Sequence, residues 1–600
     1  MFVGPVFTRE VVTAPRRDRL FWLRGVYVAA LGVLMAVCWQ VLNGTQPVRS
    51  LSDYSRFGAF AFELLAALQL ALAMFFSAVL AASAVAQEKD KKTFVLLLLT
   101  RLSNHELVLG RLAASLLNVL MLVAAGLPLL LFTVLFGGVS FGQVARATAV
   151  TLATAIAAGS IGSTVALWRE KTFQTLAIVS LLLVVWLATG EALRLGVAGP
   201  QGAEWAPVVS PWQAIVAASA PLLDAAGQAA GWFHGYGFLL TALGVAVVAN
   251  GLAIGLVRVW NPSREAAPRQ EESSAPASIW GAEHDAARTQ GEPLYEPTAA
   301  LQPSVHAAPG RVREVWDNPV LWREICTWAY GRKTLAVRLG YLLLAGSAAA
   351  GVAVAVQNPG AGAKAAISLA LAPLFILSLV LINALAVTSL TTERDGKALD
   401  LLLVTDITPK EFVFGKLWGV FFNAKEMVVL PLLLCGYLWW AGRLDGENLA
   451  YLLLGLLVMN LFAAVLGLHA GMSYDNSRSA IAVSLGTVFF LFLGVATCMR
   501  IMVAFPGDFI TQLAPFTAIV LAGALGLYAA LGYRNPSPAI GVASFLTPFF
   551  TFWAITSFLL NFTLSVFLVI VGTYGFATLA MLVPAIYEFD VATGRTTAEE

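Results

Sequence analysis

Long apolar runs alternate with short polar breaks along almost the whole chain. Runs of about 20 residues, the length a helix needs to cross the hydrocarbon core, lie near 22–42, 57–86, 107–136, 143–167, 173–196 and 236–260. A second set lies near 335–356, 364–390, 412–441, 448–473, 479–503 and 557–587. The period-two alternation of a membrane barrel is absent, and isolated spans satisfy their backbone groups internally only as helices. The pattern predicts an all-α polytopic membrane protein with about 12 transmembrane helices. The least regular part is 504–556, where Phe516 to Tyr533 is nearly long enough to span, so the count rises by two if that stretch crosses.

Polar breaks set the organisation and the direction. Residues 261 to about 317 are Pro-, Ala- and Ser-rich with little apolar periodicity, which predicts a flexible tether between units at 1–260 and 318–600. One set of connections carries Arg9, Arg16, Arg17, Arg19 and Arg24, then Lys89-Asp90-Lys91-Lys92, Arg169-Glu170-Lys171, the tether, and Arg394 with Lys397. The other set carries isolated cations such as Arg146, Lys364 and Arg443. The basic side is normally cytoplasmic. Both termini and the tether are therefore expected inside, in a multi-pass protein of the cell (inner) membrane. No small-residue cleavage site follows the first apolar run, which is read as a retained span.

A shift of 305 positions lays the second set of runs on the first. Glu88 falls on Glu393, Asp90 on Asp395, Lys92 on Lys397, Thr100 on Thr405, Glu106 on Glu411, Gly110 on Gly415 and Asn118 on Asn423, without a gap. Gly162 then meets Gly467. After one slip, Pro211-Trp212-Gln213-Ala214-Ile215 meets Pro515-Phe516-Thr517-Ala518-Ile519. Apolar spans resemble one another by composition alone, so the leucine matches count for little and the polar ones carry the argument. With an even number of spans per copy, the copies are expected to be parallel, as two six-helix repeats around an axis along the membrane normal.

Composition agrees with lipid on most sides: 59% of the 600 residues are hydrophobic and 12% charged, with a mean hydropathy of +0.79. The formal net charge of +2 makes no case for nucleic acid. Cys38, Cys326, Cys435 and Cys498 show no ligand spacing and there is no HExxH, so no metal site is expected. No GxxxxGK(S/T) occurs: Gly415-Lys416 is followed by Leu417 and Gly396-Lys397 by Ala398.

The repeated segment 88–111 opens with charges, continues into an apolar stretch too short to span, and turns at Thr100 to Asn104. It reads as a short helix at the membrane surface. Ser103 is a plausible N-cap for the next helix, as is Thr408, which Pro409 follows. Within the third span, Asn423 is followed by Lys425 and Glu426, where the first copy has Leu120 and Met121. Ionisable residues at depth are candidates for function; a locally neutralised pair is the plainer alternative. For Asn118 and Asn423 a hydrogen bond between helices is the favoured reading.

These residues resemble a known family. A cytoplasmic Glu-basic-x-x-basic stretch, then Leu-Leu-Leu-x-Thr, then Glu-x-x-x-Gly-(Lys/Arg), between the second and third of six spans, resembles the permease subunits of type-2 ATP-binding-cassette exporters. Here the stretches are Glu88–Arg111 and Glu393–Lys416, and the likeness covers nearly the whole chain, twice, outside the tether. It implies that Glu88, Asp90, Lys92, Thr100, Glu106, Gly110 and Glu393, Asp395, Lys397, Thr405, Glu411, Gly415 belong to coupling elements that dock on separate ATPase subunits, two in number. ATP and magnesium would be bound by those partners and not by this chain, which is then a permease and not an enzyme.

The main rival is a secondary transporter of the major-facilitator type, also two parallel six-span halves. Arg394-Asp395-Gly396-Lys397 superficially resembles its loop motif. The long amphipathic segment after it, and the long outer segments 197–235 and 504–556, count against that reading. A membrane-embedded enzyme would need clustered carboxylates or histidines, whereas Glu63, Glu191 and His469 stand apart. A receptor or scaffold needs no pathway at all.

Overall fold

The computed structural model describes residues 4–13, 18–45, 50–197, 199–221, 232–261, 315–326, 334–358, 360, 362–505, 509–534 and 536–589. Nearly all of the 261–317 tether and the last residues of the chain lie outside that set. The described residues are helical throughout, with no strand. The protein is an all-α polytopic membrane protein.

In chain order the first half contains α1 (Gly4–Thr13), α2 (Asp18–Thr45), α3 (Leu51–Asp90), α4 (Phe94–Leu98), α5 (Asn104–Val134), α6 (Phe141–Trp168), α7 (Thr172–Arg194), α8 (Gly199–Val209), α9 (Pro211–Ser219) and α10 (Trp232–Trp260). The second contains α11 (Pro319–Cys326), α12 (Thr334–Gln357), α13 (Ala363–Asp395), α14 (Ala398–Leu403), α15 (Pro409–Asn423), α16 (Lys425–Trp440), α17 (Gly446–Ser473) and α18 (Ser477–Ala504). It continues with α19 (Phe509–Leu531), α20 (Pro538–Leu559), α21 (Thr563–Val569), a π turn at Ile570–Tyr574 and α22 (Gly575–Tyr587). Among the described residues thirteen helices are long and apolar enough to cross a bilayer. The pair α15 and α16, bent by 58°, makes a fourteenth if counted as one span.

Side chains mark where the helices start. Ser50 with Asp53, Ser103 with Glu106, Ser140 with Gln143 and Thr408 with Glu411 form reciprocal capping boxes at the heads of α3, α5, α6 and α15. Each pairs first-turn N–H groups that would otherwise lack acceptors.

The second and fourth spans of each half pack most closely, and glycine makes this possible. A Cβ on Gly162 of α6 would sit 2.6 Å from the Ala78 carbonyl oxygen of α3. A Cβ on Gly467 of α17 would sit 2.7 Å from the Asn383 carbonyl oxygen of α13, the same contact 305 residues on. The halves meet by exchange: α7 packs on α13 and α18 packs on α3. Phe75 of α3 stacks on Phe489 of α18 with centroids 4.0 Å apart.

The two helices beyond twelve both fall in 504–556. The end of α19 packs beside the end of α17: His469 Nε2 is 2.7 Å from the Leu531 carbonyl, the Tyr474 hydroxyl donates to the Ala530 carbonyl at 2.9 Å, and Arg534 pairs with Asp475. The opposite ends of α19 and α20, at Phe516 and Phe552, join a core with Cys498 and Met502 at the far end of α18. The hairpin thus runs the full depth of the bundle.

The corresponding stretch of the first half is short. Helices α8 and α9 hold 11 and 9 residues, about 16 and 14 Å. They dip in and turn back at Val209 and Ser210. Trp186 Nε1 donates to the Val209 carbonyl at 2.7 Å and Thr241 Oγ1 to the Val208 carbonyl at 2.6 Å. Where α9 ends, Gln143 Nε2 donates to the Ser219 carbonyl at 2.6 Å and Arg146 to those of Ala218 and Ala220 at 3.2 and 2.9 Å. These carbonyls would otherwise be orphaned in an apolar setting. Arg146, read from sequence as an isolated outer cation, is the 6%-exposed fastener of this hairpin.

Candidate functional site

The expected coupling segments occupy one end of the bundle, between the second and third spans of each half. In the first half α3 ends at Asp90, and the chain reverses through Lys92 in left-handed backbone, φ 58°. In the second, α13 ends at Asp395 and Lys397 takes φ 56°. A side chain at positive φ is unusual and costs roughly 1 kcal/mol, yet the same reversal occurs in both halves. It lays α4 and α14 across the end of the bundle. The Thr100 hydroxyl then donates to the Leu97 carbonyl at 2.6 Å, and the Thr405 hydroxyl to the Leu402 carbonyl at 2.5 Å.

Helix α4 seats itself with Phe94 and Leu98, which are buried with Val85, Leu107 and Val108. Its other face is bare: Leu96 is 64% and Leu99 61% exposed. On α14 and just after it, Leu401 is 74% and Val404 86% exposed. The two pairs stand at equivalent positions, 305 residues apart, as i and i+3 neighbours on one helix face. Lys92, Thr100, Lys397 and Thr405 are exposed beside them.

Most of the polar residues expected to carry docking point inward. Glu88 pairs with Arg111. Asp90 accepts a hydrogen bond from Thr172. Glu106 and Glu411 accept from the backbone N–H of Ser103 and Thr408 at 3.0 and 2.9 Å, so both are capping groups. Gly110 is buried. A Cβ on Gly415 would meet Val320 of α11 at 3.0 Å, so its role is close packing. Asp395 lies 3.8 Å from Lys91 of the other half.

Glu393 belongs to a buried cluster. Lys416 Nζ lies 2.7 Å from Glu324 and 2.5 Å from Glu393, and Arg323 reaches both carboxylates. Lys416 is 1% and Glu324 2% exposed. Two cations and two carboxylates so bind α11, α13 and α15 into one unit. Arg9, Glu10, Glu88 and Arg111 stand at the matching places in the first half, with Glu88–Arg111 the pair seen there. The flanking cations cap helices. Lys89 donates to the Leu167 carbonyl and, at 2.9 Å, to that of Arg169 at the end of α6. Arg394 donates to the Gly471 carbonyl at the end of α17 at 3.0 Å. Cations suit helix C-termini.

The other expected polar site lies where the third span of the second half breaks. Asn423 Nδ2 donates to the Glu324 carbonyl at 3.1 Å, the bond between helices expected of it. The Asn118 side-chain oxygen has no partner among the described residues. Lys425 is exposed, its ammonium 4.5 Å from the centre of the Phe422 ring, and Glu426 lies 3.8 Å from Arg338. Side chains of α12 bond the carbonyls on both sides of the break. Pro431 has no N–H to give the Met427 carbonyl; the buried Tyr341 hydroxyl supplies it at 3.1 Å. Arg338 caps the Asn423 carbonyl at 3.2 Å. A small crevice lined by Phe173, Thr334, Val337, Arg338, Asn423 and Met427 lies beside this joint, at the level of the first residue of α12. Glu426 therefore faces the first turns of α12.

Among the described residues no group of His, Cys, Asp and Glu side chains is placed to hold a metal ion. What remains is a large helical membrane bundle of the kind suited to transport, with two exposed apolar helix faces on one end. No family model matches the chain, and no curated protein matches its sequence.

Proposed function

We propose that this chain is the membrane-spanning permease of an ATP-binding-cassette exporter of the type-2 kind, both units in one polypeptide, worked by two separate ATPase subunits. The observation that carries the reading is the twice-built dock. Leu96 with Leu99, and Leu401 with Val404, are held out of the bundle on short helices whose backbone reversal and threonine cap recur. An exposed apolar face marks a protein or membrane interaction site, and its repetition at equivalent positions of both halves supports a pair of soluble partners. The gathering of Lys89, Lys91, Lys92, Lys171 and Lys397 at this end supports a cytoplasmic placement, in the cell membrane.

Mechanism follows from the connections. A soluble partner closing on ATP would push α4 and α14 together. The push enters α3 and α13 directly, and enters α11 and α15 through the Arg323–Glu324–Glu393–Lys416 cluster. The second spans carry it to the seam between halves, where α7 meets α13 and α18 meets α3. ATP closure then biases the seam between arrangements.

The test is co-purification in mild detergent with candidate ATPase subunits, wild type against a Leu96→Asp, Leu401→Asp double variant. Both changes are on exposed positions, so the variant keeps its fold. Capture by the wild type and loss in the variant is the expected result. If the well-folded wild type captures no ATPase, the reading fails, and gradient-driven transport of the major-facilitator kind is assayed next.

A further inference from the structure

The two docks share a backbone but not a charge pattern. Around Leu96 and Leu99 the exposed charged side chains are Lys91, Lys92 and Arg101, all cationic. Among the described side chains around Leu401 and Val404 they are Lys397, Asp406 and Lys410. In the 305-residue register, Gly396 stands where the first dock has Lys91, and Asp406 stands where it has Arg101. The last difference is a reversal of sign in the turn directly after Thr100 or Thr405, beside the exposed apolar pair. Lys91 approaches Asp395 at 3.8 Å and still leaves 45% of its side chain exposed. A surface meeting the first dock therefore faces three cations and no exposed carboxylate. A surface meeting the second faces, among the described side chains, the Asp406 carboxylate between two cations.

We infer that the docks are not interchangeable: the first takes an ATPase surface bearing carboxylates around its apolar groove, and the second takes one of mixed charge, so the two ATPase subunits are different polypeptides. This rests on the exporter reading above. Complementary charge around an apolar contact selects partners and sets their salt dependence, and a like-charge juxtaposition rejects the wrong one. One chain that presents two unlike docks can thereby fix which ATPase sits under which half. Two copies of one subunit could not match both rims.

Single-dock variants separate the two. Leu401→Asp leaves only the first dock, and Leu96→Asp only the second. Each is presented in mild detergent to a panel of cassette ATPase subunits, purified singly and immobilised, across a sodium chloride series. First-dock capture should fall roughly tenfold between about 50 and about 500 mM salt, and second-dock capture by less than about twofold. The two variants should also prefer different subunits of the panel. Adding Arg101→Asp to the first-dock variant should shift its preference toward the second dock's subunit.

Equal salt dependence and the same preferred subunit at both docks would overturn the inference while leaving the exporter reading intact. Wild type that captures no subunit at all ends both. A repeat in nanodiscs with and without anionic lipid covers the remaining use of the cations. If the salt dependence disappears with the anionic lipid, Lys91, Lys92 and Arg101 serve headgroups, and the inference falls.

Discussion

The stretch between the fifth and last spans is built twice and ends up as two different objects. In the first half α8 and α9 dip in and return, held by Trp186, Thr241, Gln143 and Arg146. In the second half α19 and α20 run from one end of the bundle to the other. Both contain the Pro-aromatic-x-Ala-Ile string. Pro211 opens a helix after the Ser210 break, whereas Pro515 lies inside α19. Glu204, Pro207 and the Ser210-Pro211 break punctuate the first version; 509–531 has no charge and one internal proline. A short match of residues thus does not fix depth. The length of apolar chain on either side does.

The sharpest way to break the likeness of the halves is through the charges under the docks. Lys416→Met leaves Glu324 and Glu393 buried without their ammonium and should cost about 3–5 kcal/mol. Arg111→Met should cost well under half of that, because the Arg111 and Glu88 side chains are 12% and 26% exposed, against 1% for both Lys416 and Glu324. Thermal unfolding in detergent, followed by tryptophan fluorescence, compares them, and equal losses would contradict the geometry. Next comes Arg146→Met, which should cost about 1.5–3 kcal/mol. It should expose the 199–220 hairpin to protease while leaving the 532–537 loop uncut; cleavage at both would show a general loosening instead.

Two smaller changes test what the halves share. Gly162→Ala and Gly467→Ala each place a Cβ against the carbonyl of the second span, and each should cost about 1–3 kcal/mol by overpacking. A large inequality between them would mean the two contacts are not equivalent. Smallest is the backbone reversal. Lys92→Gly and Lys397→Gly should each stabilise by up to roughly 1 kcal/mol, since glycine adopts positive φ without strain, while each removes one exposed cation beside the apolar pair and should weaken capture of a partner slightly at low salt.

Spans were legible in the sequence because apolar length is a direct physical requirement of the bilayer, and the uncertain stretch at 504–556 is where the additional helices lie. Segments 88–111 and 393–416 stand out in the sequence by their polar residues, and most of those residues pair or cap the chain's own groups. Glu88, Glu106, Glu393 and Glu411 match across the repeat in pairing and capping the chain's own groups. The surface itself is Leu96, Leu99, Leu401 and Val404, the type of match that apolar spans make uninformative. Only the three-dimensional placement of α4 and α14 separates a leucine facing outward from one seated in the bundle. Arg146 was missed for the converse reason: a lone cation beside a span gives no hint of the carbonyls it will meet.

The joint at Ala424 has a mechanical meaning. Helix α5 runs unbroken from Asn104 to Val134, while its counterpart turns by 58° between α15 and α16. If the chain works as proposed, a push delivered under the first half meets one continuous helix. Under the second it meets a rod in two pieces, pinned by Arg338 and Tyr341, which can fold a little before it passes anything on. On the proposed function, equal strokes at the two ends would then arrive in the membrane as unequal displacements, and the transport cycle would have a leading side and a trailing one.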